Sequence, residues 1–212
     1  MTPDMPAPIV PHVSDALVLL DFFGIAVFAV SGALVAAEKR QTLVTFIFFA
    51  VATGVGGGTL RDLLIGAPVF WVHTNATLLI CIGAALAVWL LSTRRISGKA
   101  LAWFDAAGLA AYATYGSAKA ISYGVAPVPS FAMGVLTACV GGIVRDVLAG
   151  QPSILMRPEL YVTAAALASG LFVALTLLGL PVWVAAVAAA VAGLGLRGAA
   201  ITRGLSLPAY KD

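Results

Sequence analysis

The fold of this chain is decided by the stretch GVGGGTLRDLLIGAP, residues 54–68. It follows the hydrophobic run TFIFFAVA at residues 45–52, begins with four glycines in five residues, and then places Arg61 and Asp62 side by side. Glycine inside a helix costs about 1 kcal/mol relative to alanine, and a buried charge is costly unless it is paired. The stretch therefore predicts a specialised site within an apolar segment, with charges that need partners.

Composition indicates a membrane protein. Of the 212 residues, 61% are hydrophobic and 10% are charged, and the mean hydropathy is +1.04. A soluble domain of this length could not cover so much apolar surface, whereas a bilayer span needs about 20 mostly apolar residues. The net charge of +3 does not indicate nucleic acid, because basic residues in membrane proteins act as orientation signals in cytoplasmic loops. We therefore expect an all-α membrane protein with no nucleic-acid partner.

Hydropathy and the positions of glycine and proline predict seven transmembrane helices. They cover residues 15–37, 42–65, 75–91, 100–122, 128–149, 159–178 and 181–200. With the N-terminus outside, nine of the twelve basic residues fall on the cytoplasmic side and none falls in an external loop, while Arg61, Lys119 and Arg145 lie within the hydrophobic segments. The nine are Lys39, Arg40, Arg94, Arg95, Lys99, Arg157, Arg197, Arg203 and Lys211. The positive-inside rule thus predicts a multi-pass protein of the cell inner membrane, with an external N-terminus and a cytoplasmic C-terminus.

The chain also contains an internal repeat. GGTLRDLLIGAP at 57–68 aligns with GGIVRDVLAGQP at 141–152, and DFFG at 21–24 aligns with DAAG at 105–108, both at an offset of 84 (105 − 21). Because each copy holds three predicted helices, an odd number, the second copy enters the membrane from the opposite side. The predicted units are an external lead (1–14), the first repeat (15–92), the second, inverted repeat (100–178), a seventh helix (181–201) and a cytoplasmic tail (202–212).

Glycines occupy equivalent places in the second helix of each repeat. The set is Gly54, Gly56, Gly57 and Gly58 in helix two, and Gly141 and Gly142 in helix five. Consecutive glycines favour a helix break, and in a membrane the backbone groups freed by a break must line protein or a watery cavity. One interpretation is a pore lined by broken helices two and five, whose carbonyl oxygens replace the water shell of a cation. The alternative is that the glycines permit tight helix packing.

Buried charges follow the glycines. By matching depths in the predicted helices we expect two symmetry-related pairs, Asp21 with Arg61 and Asp105 with Arg145, beside Asp62 and Asp146. These pairs either stabilise the helix breaks or take part in gating. Lys119 has no acid near it in the sequence, so it either extends to the membrane surface or projects into the ion pathway. Further candidates for pore lining or gating are Thr53, Thr59, Tyr115, Ser117 and Thr137.

With these residues the sequence resembles the trimeric intracellular cation channel family, in its prokaryotic branch. The resemblance rests on GVGGGTLRDLLIGAPVFWV and on VGGIVRDVLAGQPSIL, and covers roughly residues 15–200. It implies a homotrimer in which each protomer has its own potassium-permeable pathway along kinked helices two and five. It also implies that Gly56 to Gly58 form the first kink, that Gly141 and Gly142 form the second, and that Lys119 is the family's basic gating residue of helix four.

The sequence therefore predicts a channel for monovalent cations, with K⁺ or Na⁺ as the permeant ion, membrane lipids as neighbours, and neither a cofactor nor a structural metal. The alternative is a secondary transporter of a small solute such as glycine, because both functions use discontinuous helices. An enzyme is not expected. His12 and His73 lie outside the predicted helices, and no Ser/His/Asp or HExxH constellation is present in the sequence.

Overall fold

The computed structural model describes residues 15–91 and 98–208, and the side chains within 17–91 and 100–208. This part of the chain forms seven α-helices. They are α1 (Asp15–Glu38), α2 (Leu43–Leu64), α3 (Asn75–Leu90), α4 (Gly98–Ser122), α5 (Pro127–Leu148), α6 (Val162–Leu177) and α7 (Val182–Arg203), with a 3-10 turn at Ile154–Met156 between α5 and α6. The all-helical architecture agrees with the prediction. The predicted lead (1–14) and the last four residues of the predicted tail lie outside the described residues.

Local sequence explains most helix boundaries. The Thr42 side chain accepts the backbone N–H of Thr45 at the start of α2, and Gly66 and Gly150 take φ values of +68° and +63° after α2 and α5. A left-handed residue after a helix is favoured when it is glycine, because glycine has no Cβ. Two boundaries differ from the prediction by three residues. Helix α6 begins at Val162, after a backbone bridge between Glu159 and Ser206, and α7 continues to Arg203.

Four of the described helices are long and apolar enough to cross a bilayer: Leu17–Glu38, Leu43–Leu64, Pro127–Leu148 and Val182–Arg203. The apolar helices α3 and α6 have 16 residues each, below the span of about 20 that a bilayer core requires without tilt. Helix α4 has 25 residues and carries Asp105 and Lys119 within its length. The chain is therefore a multi-pass membrane protein.

The centre of the molecule is a crossing of α2 and α5. A Cβ on Gly57 would overlap the carbonyl oxygen of Thr137, and a Cβ on Gly141 would lie 2.7 Å from the carbonyl oxygen of Thr53. These two contacts are reciprocal, since Gly141 and Thr137 are the repeat counterparts of Gly57 and Thr53. Only glycine permits backbones to approach this closely.

Helices α1 and α4 pack in the same reciprocal way. A Cβ on Gly24 would lie 2.7 Å from the Tyr112 ring, and one on Gly108 would lie 3.0 Å from the Phe28 ring. The two rings contact each other with centroids 5.3 Å apart and planes tilted by 32°. Phe28 and Tyr112 are again repeat counterparts, so contacts between the halves are exchanged in pairs.

The predicted helix breaks are not observed. Helix α2 continues without interruption through Gly54, Gly56, Gly57 and Gly58, and α5 does so through Gly141 and Gly142. The physical reason is that glycine still forms the helical backbone hydrogen bonds. Because glycine has no Cβ, the backbone of the partner helix can approach closely at these positions. In this structure the glycines therefore serve the tight packing that was the alternative interpretation.

Candidate functional site

The first cluster of buried charges lies in the last turn of α2. The Arg61 Nε donates to Asp62 Oδ1 at 2.9 Å, and Nη2 lies 2.8 Å from the same oxygen without hydrogen-bond geometry. Lys119 of α4 places its Nζ 2.9 Å from both carboxylate oxygens of Asp62. Arg61 is 1% exposed and Asp62 is fully buried. We call Arg61, Asp62 and Lys119 the first Arg-Asp cluster.

Aromatic residues enclose this cluster. The guanidinium of Arg61 lies 5.1 Å from the centroid of the Tyr115 ring, and the Lys119 ammonium lies 5.6 Å from that of the Phe70 ring. Both distances suit cation–π attraction. The backbone N–H of Phe70 also donates to Asp62 Oδ2 at 3.1 Å, and the indole N–H of Trp71 donates to Thr59 Oγ1 at 2.8 Å. The loop after α2 therefore covers the cluster and is hydrogen-bonded to it.

Two expectations for this end of the molecule are corrected. Arg61 does not form an ion pair with Asp21, because its guanidinium is bound to Asp62 instead. Lys119 neither lacks an acidic partner nor extends to the membrane surface, because it is bound to Asp62. This pair is not evident from the sequence, because the two residues are 57 positions apart.

The second cluster lies in the last turn of α5 and consists of Arg145, Asp146 and Asp105. The Arg145 Nε donates to Asp146 Oδ1 at 2.9 Å. Its Nη1 donates to Asp105 of α4 and to the hydroxyl of Ser31 in α1. Here the structure brings together the two residues, Asp105 and Arg145, that the sequence pairs. We call these three charged residues the second Arg-Asp cluster.

The two clusters share a local backbone arrangement. Oδ2 of each aspartate accepts the N–H of the residue eight positions later, Phe70 at 3.1 Å and Ile154 at 2.8 Å. The carbonyl oxygen of each aspartate accepts the N–H five positions later, from Ala67 and Gln151. The aspartate therefore fastens the loop after each helix, in addition to holding its arginine.

Most of the candidate hydroxyl groups bond their own helix. Thr59, Thr137 and Ser117 donate to carbonyl oxygens four residues earlier, at 2.7, 2.6 and 2.7 Å respectively. This is the common behaviour of Ser and Thr in helices. Thr53 differs, because its buried hydroxyl has no hydrogen-bond partner in the described part of the chain. Among the candidate hydroxyl residues, Thr53 and Thr137 lie at the α2–α5 crossing, against Gly141 and Gly57.

A cavity of about 100 Å³ borders the second cluster. Its lining includes the second cluster, Asp105, Arg145 and Asp146, together with Arg157, Glu159 and Arg197. The sequence interpretation assigned Arg197 only to membrane orientation, but its side chain is in fact 2% exposed and bound to Glu159. No group of three His, Cys, Asp or Glu side chains able to hold a metal occurs within the described residues.

Sequence reasoning missed three groups that the structure assigns to these sites. Phe70 contacts both cations of the first cluster, and Glu159 and Arg197 face the cavity at the second. Phe70 could have been found from its place two residues after the motif that ends in GAP. The pair of Glu159 and Arg197 could not have been found from the sequence, because it joins a loop to a distant helix.

Comparisons with known proteins now identify relatives. A family model described as "Glycine transporter" matches residues 18–93 and again residues 102–177, with the same offset as the sequence repeat. A UPF0126 membrane protein of Vibrio cholerae is 43% identical over 158 residues, which is 71% of this chain and 64% of the relative. The Escherichia coli inner membrane protein YadS is 38% identical over 148 residues, 68% of this chain and 72% of the relative.

Solved structures with a similar fold include several trimeric intracellular cation channels. The trimeric intracellular cation channel orthologue from Rhodobacter sphaeroides is 42% identical, with a TM-score of 0.86 over 89% of this chain and 98% of that one. A prokaryotic channel of the same type, crystallised in 0.5 M KCl, is 27% identical with a TM-score of 0.83 over 90% of this chain and 98% of that one. A trimeric intracellular cation channel from C. elegans, 16% identical over 89% of this chain and 92% of that one, shares the fold with a TM-score of 0.61.

Proposed function

We propose that this protein is a channel for monovalent cations and that the channel is permeable to potassium. The premise is that the chain belongs to the prokaryotic branch of the trimeric intracellular cation channel family. The observation that carries the proposal is the likeness, at 42% identity over 89% of the chain, to a protein named as such a channel. We propose further that the protein works as a homotrimer in a cell inner membrane, with one pathway in each protomer.

The pathway we propose follows the α2–α5 crossing. Its polar groups are the unpartnered hydroxyl of Thr53 and the carbonyl oxygens of Thr53 and Thr137 beside the glycines. Carbonyl and hydroxyl oxygens can replace the water shell of a monovalent cation. The arginines next to this crossing are each paired with aspartate, which lowers the repulsion that a bare guanidinium would exert on the ion. Opening then requires the helices to separate at their closest contacts.

The first Arg-Asp cluster is the proposed gate. Lys119 is held on Asp62 by the carboxylate and by the Phe70 ring, and both contacts would have to loosen before the ammonium could move. One elementary charge that crosses the full membrane potential contributes about 2.3 kcal/mol per 100 mV. That is comparable with the worth of a charged hydrogen bond, about 1.5 to 3 kcal/mol. Voltage could therefore shift the equilibrium between held and released Lys119.

We also propose that the two repeats are inverted in the membrane, with the N-terminus outside. Two observations support this arrangement. The contacts of α1 with α4 and of α2 with α5 are exchanged between counterparts, as expected for halves related by a two-fold axis. The distribution of basic residues outside the hydrophobic segments favours a cytoplasmic C-terminus.

A carrier for a small solute such as glycine is the second candidate, favoured by the description of the matching family model. The two functions differ in flux. A carrier saturates with substrate and exchanges labelled for unlabelled solute across the membrane, whereas a channel passes current in discrete steps.

The experiment is single-channel recording of the purified protein in planar bilayers under a KCl gradient. We expect discrete openings whose reversal potential moves toward the potassium equilibrium potential. Lys119→Gln should open with a weaker voltage dependence, while Arg203→Gln, an exposed residue at the end of α7, should behave as wild type. Silent bilayers together with saturable glycine counterflow in liposomes would contradict the channel and support the carrier.

A further inference from the structure

Helix α7 stands outside the internal repeat, and the chain that follows it is fastened to the loop that leads into α6. Glu159 of this loop and Ser206 form an antiparallel backbone bridge, and the Leu207 N–H donates to the carbonyl oxygen of Pro158 at 2.7 Å. We call residues 205–207 the C-terminal strap. The strap holds the loop through backbone contacts, which do not depend on the side chains of the strap.

A side chain of α7 holds the same loop a second time. Arg197 Nη2 donates to Glu159 Oε2 at 2.6 Å, and the Arg197 guanidinium lies 5.4 Å from the centroid of the Tyr161 ring. A hydrogen bond between two charged groups and a cation–π contact are both attractive. Arg197 and Tyr161 are each 1% exposed. Helix α7 and the C-terminal strap therefore fix the end of the loop, where Tyr161 directly precedes α6.

The other end of the Tyr161 side chain lies at the second Arg-Asp cluster. A Cβ on Gly142 would lie 2.7 Å from the Tyr161 hydroxyl, 3.4 Å from Asp105 Oδ1 and 3.6 Å from Arg145 Nη2. The hydroxyl thus occupies the space that glycine leaves beside the two charged groups. The first cluster has no equivalent, because the repeat counterpart of Tyr161 is Thr77 (161 − 84), a much shorter side chain.

The hydrogen bonds of this region are incomplete in a complementary way. The Tyr161 hydroxyl is buried and has no acceptor among the described residues, and Asp105 Oδ2 is buried and has no donor there. Asp105 Oδ1 is already bound to Arg145. An unpaired buried donor and an unpaired buried acceptor each cost free energy. Because both belong to side chains that meet beside Gly142, a rotation of the ring or of the carboxylate would join them.

We propose that Tyr161 is a positioning residue of the second Arg-Asp cluster, and that α7 and the C-terminal strap determine its position. The Tyr161 hydroxyl supplies the donor that Asp105 Oδ2 lacks and so keeps this carboxylate on Arg145. The inference rests on the proposed function, in which an arginine paired with aspartate repels the permeant cation less than a bare one. Helix α7 thereby affects conduction through Tyr161.

The test is the current through single open channels of the purified full-length protein in planar bilayers, in symmetrical KCl. Tyr161→Phe keeps the ring and loses the hydroxyl, so it should lower the unit current roughly twofold at about 0.05 M KCl and less at about 1 M, where salt screens the charge of Arg145. Its voltage dependence should stay that of wild type, because Lys119 belongs to the first cluster. Unit current does not depend on how many molecules are folded, so a merely structural role of Tyr161 would leave it unchanged.

A matched pair of variants tests the C-terminal strap. Leu207→Pro removes the N–H that donates to Pro158 and should lower the unit current as Tyr161→Phe does, whereas Leu207→Ala keeps this N–H and should conduct as wild type. Leu207→Pro combined with Tyr161→Phe should conduct no less than Tyr161→Phe alone, because the strap acts through the tyrosine. An unchanged unit current in Tyr161→Phe, equal losses in the two Leu207 variants, or a further loss in the combined variant would overturn the proposal.

A measurement without current separates this inference from the proposed function. A wild-type protein that passes no potassium current contradicts the channel, and the contact is then judged by thermal unfolding of Tyr161→Phe, Asp105→Asn and the double variant. The double variant should lose less in melting temperature than the sum of the two single losses, because both remove the same hydrogen bond. Additive losses would show that Tyr161 does not hold Asp105. If Asp105→Asn does not fold, Leu207→Pro takes its place in the cycle.

Discussion

At the end of α2, Arg61 and Asp62 are joined by a second cation, Lys119, whereas at the end of α5, Arg145 and Asp146 are joined by a second acid, Asp105. The hydrogen bonds from each aspartate to its following loop are otherwise the same. A duplicated motif can thus keep its structural task while the residues of neighbouring helices decide its charge. The first cluster has an excess cation, and the second has an excess carboxylate.

The largest difference between the two clusters is expected in the loss of stability when the arginine of each is replaced. Arg145→Gln leaves two buried carboxylates without a cation and should lower the free energy of unfolding by about 3 to 5 kcal/mol. Arg61→Gln should cost less, because Lys119 still neutralises Asp62. Thermal unfolding of both variants in the same detergent measures this difference. Equal losses of stability would mean that the third charge does not matter.

The glycines at the α2–α5 crossing provide the next contrast. Gly57→Ala pushes a methyl group into the carbonyl oxygen of Thr137 and should cost about 1 to 3 kcal/mol, as overpacking does. Gly56→Ala is the matched control, because its Cβ would meet Val144 at 3.6 Å, an ordinary contact. Chemical or thermal unfolding should rank the two variants in this order. If Gly56→Ala proved the more harmful, the close crossing of α2 and α5 would not be the reason for the glycines.

Phe70 tests the enclosure of the first cluster. Its counterpart Ile154 covers the second cluster without an aromatic face. Phe70→Leu removes the cation–π contact with Lys119 and should destabilise the protein by about 0.5 to 2 kcal/mol. If the proposed gate is correct, Phe70→Leu should also shift the voltage of half-maximal opening, because Lys119 is held less firmly. Val72→Ala, in the same loop and 59% exposed, should change neither quantity.

The smallest effect is expected at Trp71. Trp71→Phe keeps the ring but removes the N–H that donates to Thr59, which should cost about 0.5 to 1.5 kcal/mol. Thr59→Val should cost a similar amount, and the double variant should cost less than the sum of the two. A double-mutant cycle on thermal unfolding measures the coupling. Additive losses would show that this hydrogen bond contributes nothing to holding the loop.

The candidate site was only partly predictable. The pair of Asp105 and Arg145 followed from matching depths in neighbouring helices, but the same reasoning placed Arg61 on Asp21, where Asp62 is the actual partner. Depth along a helix can be estimated from sequence, whereas the direction of a side chain around the helix cannot. The prediction of helix breaks was wrong for a related reason. A run of glycines is compatible both with a break and with a close crossing of two intact helices.

The sequence by itself determined the membrane class, the positions of the seven helices and the 84-residue offset between the motifs (145 − 61). These depend on hydropathy, capping residues and internal similarity, which are local properties of the chain. Only the tertiary structure decided that Lys119 binds Asp62, that Gly57 and Gly141 each receive a carbonyl from the opposite helix, and that Arg197 is buried at a cavity. Such contacts depend on how whole helices rotate and cross, and that is set by packing between segments far apart in the chain.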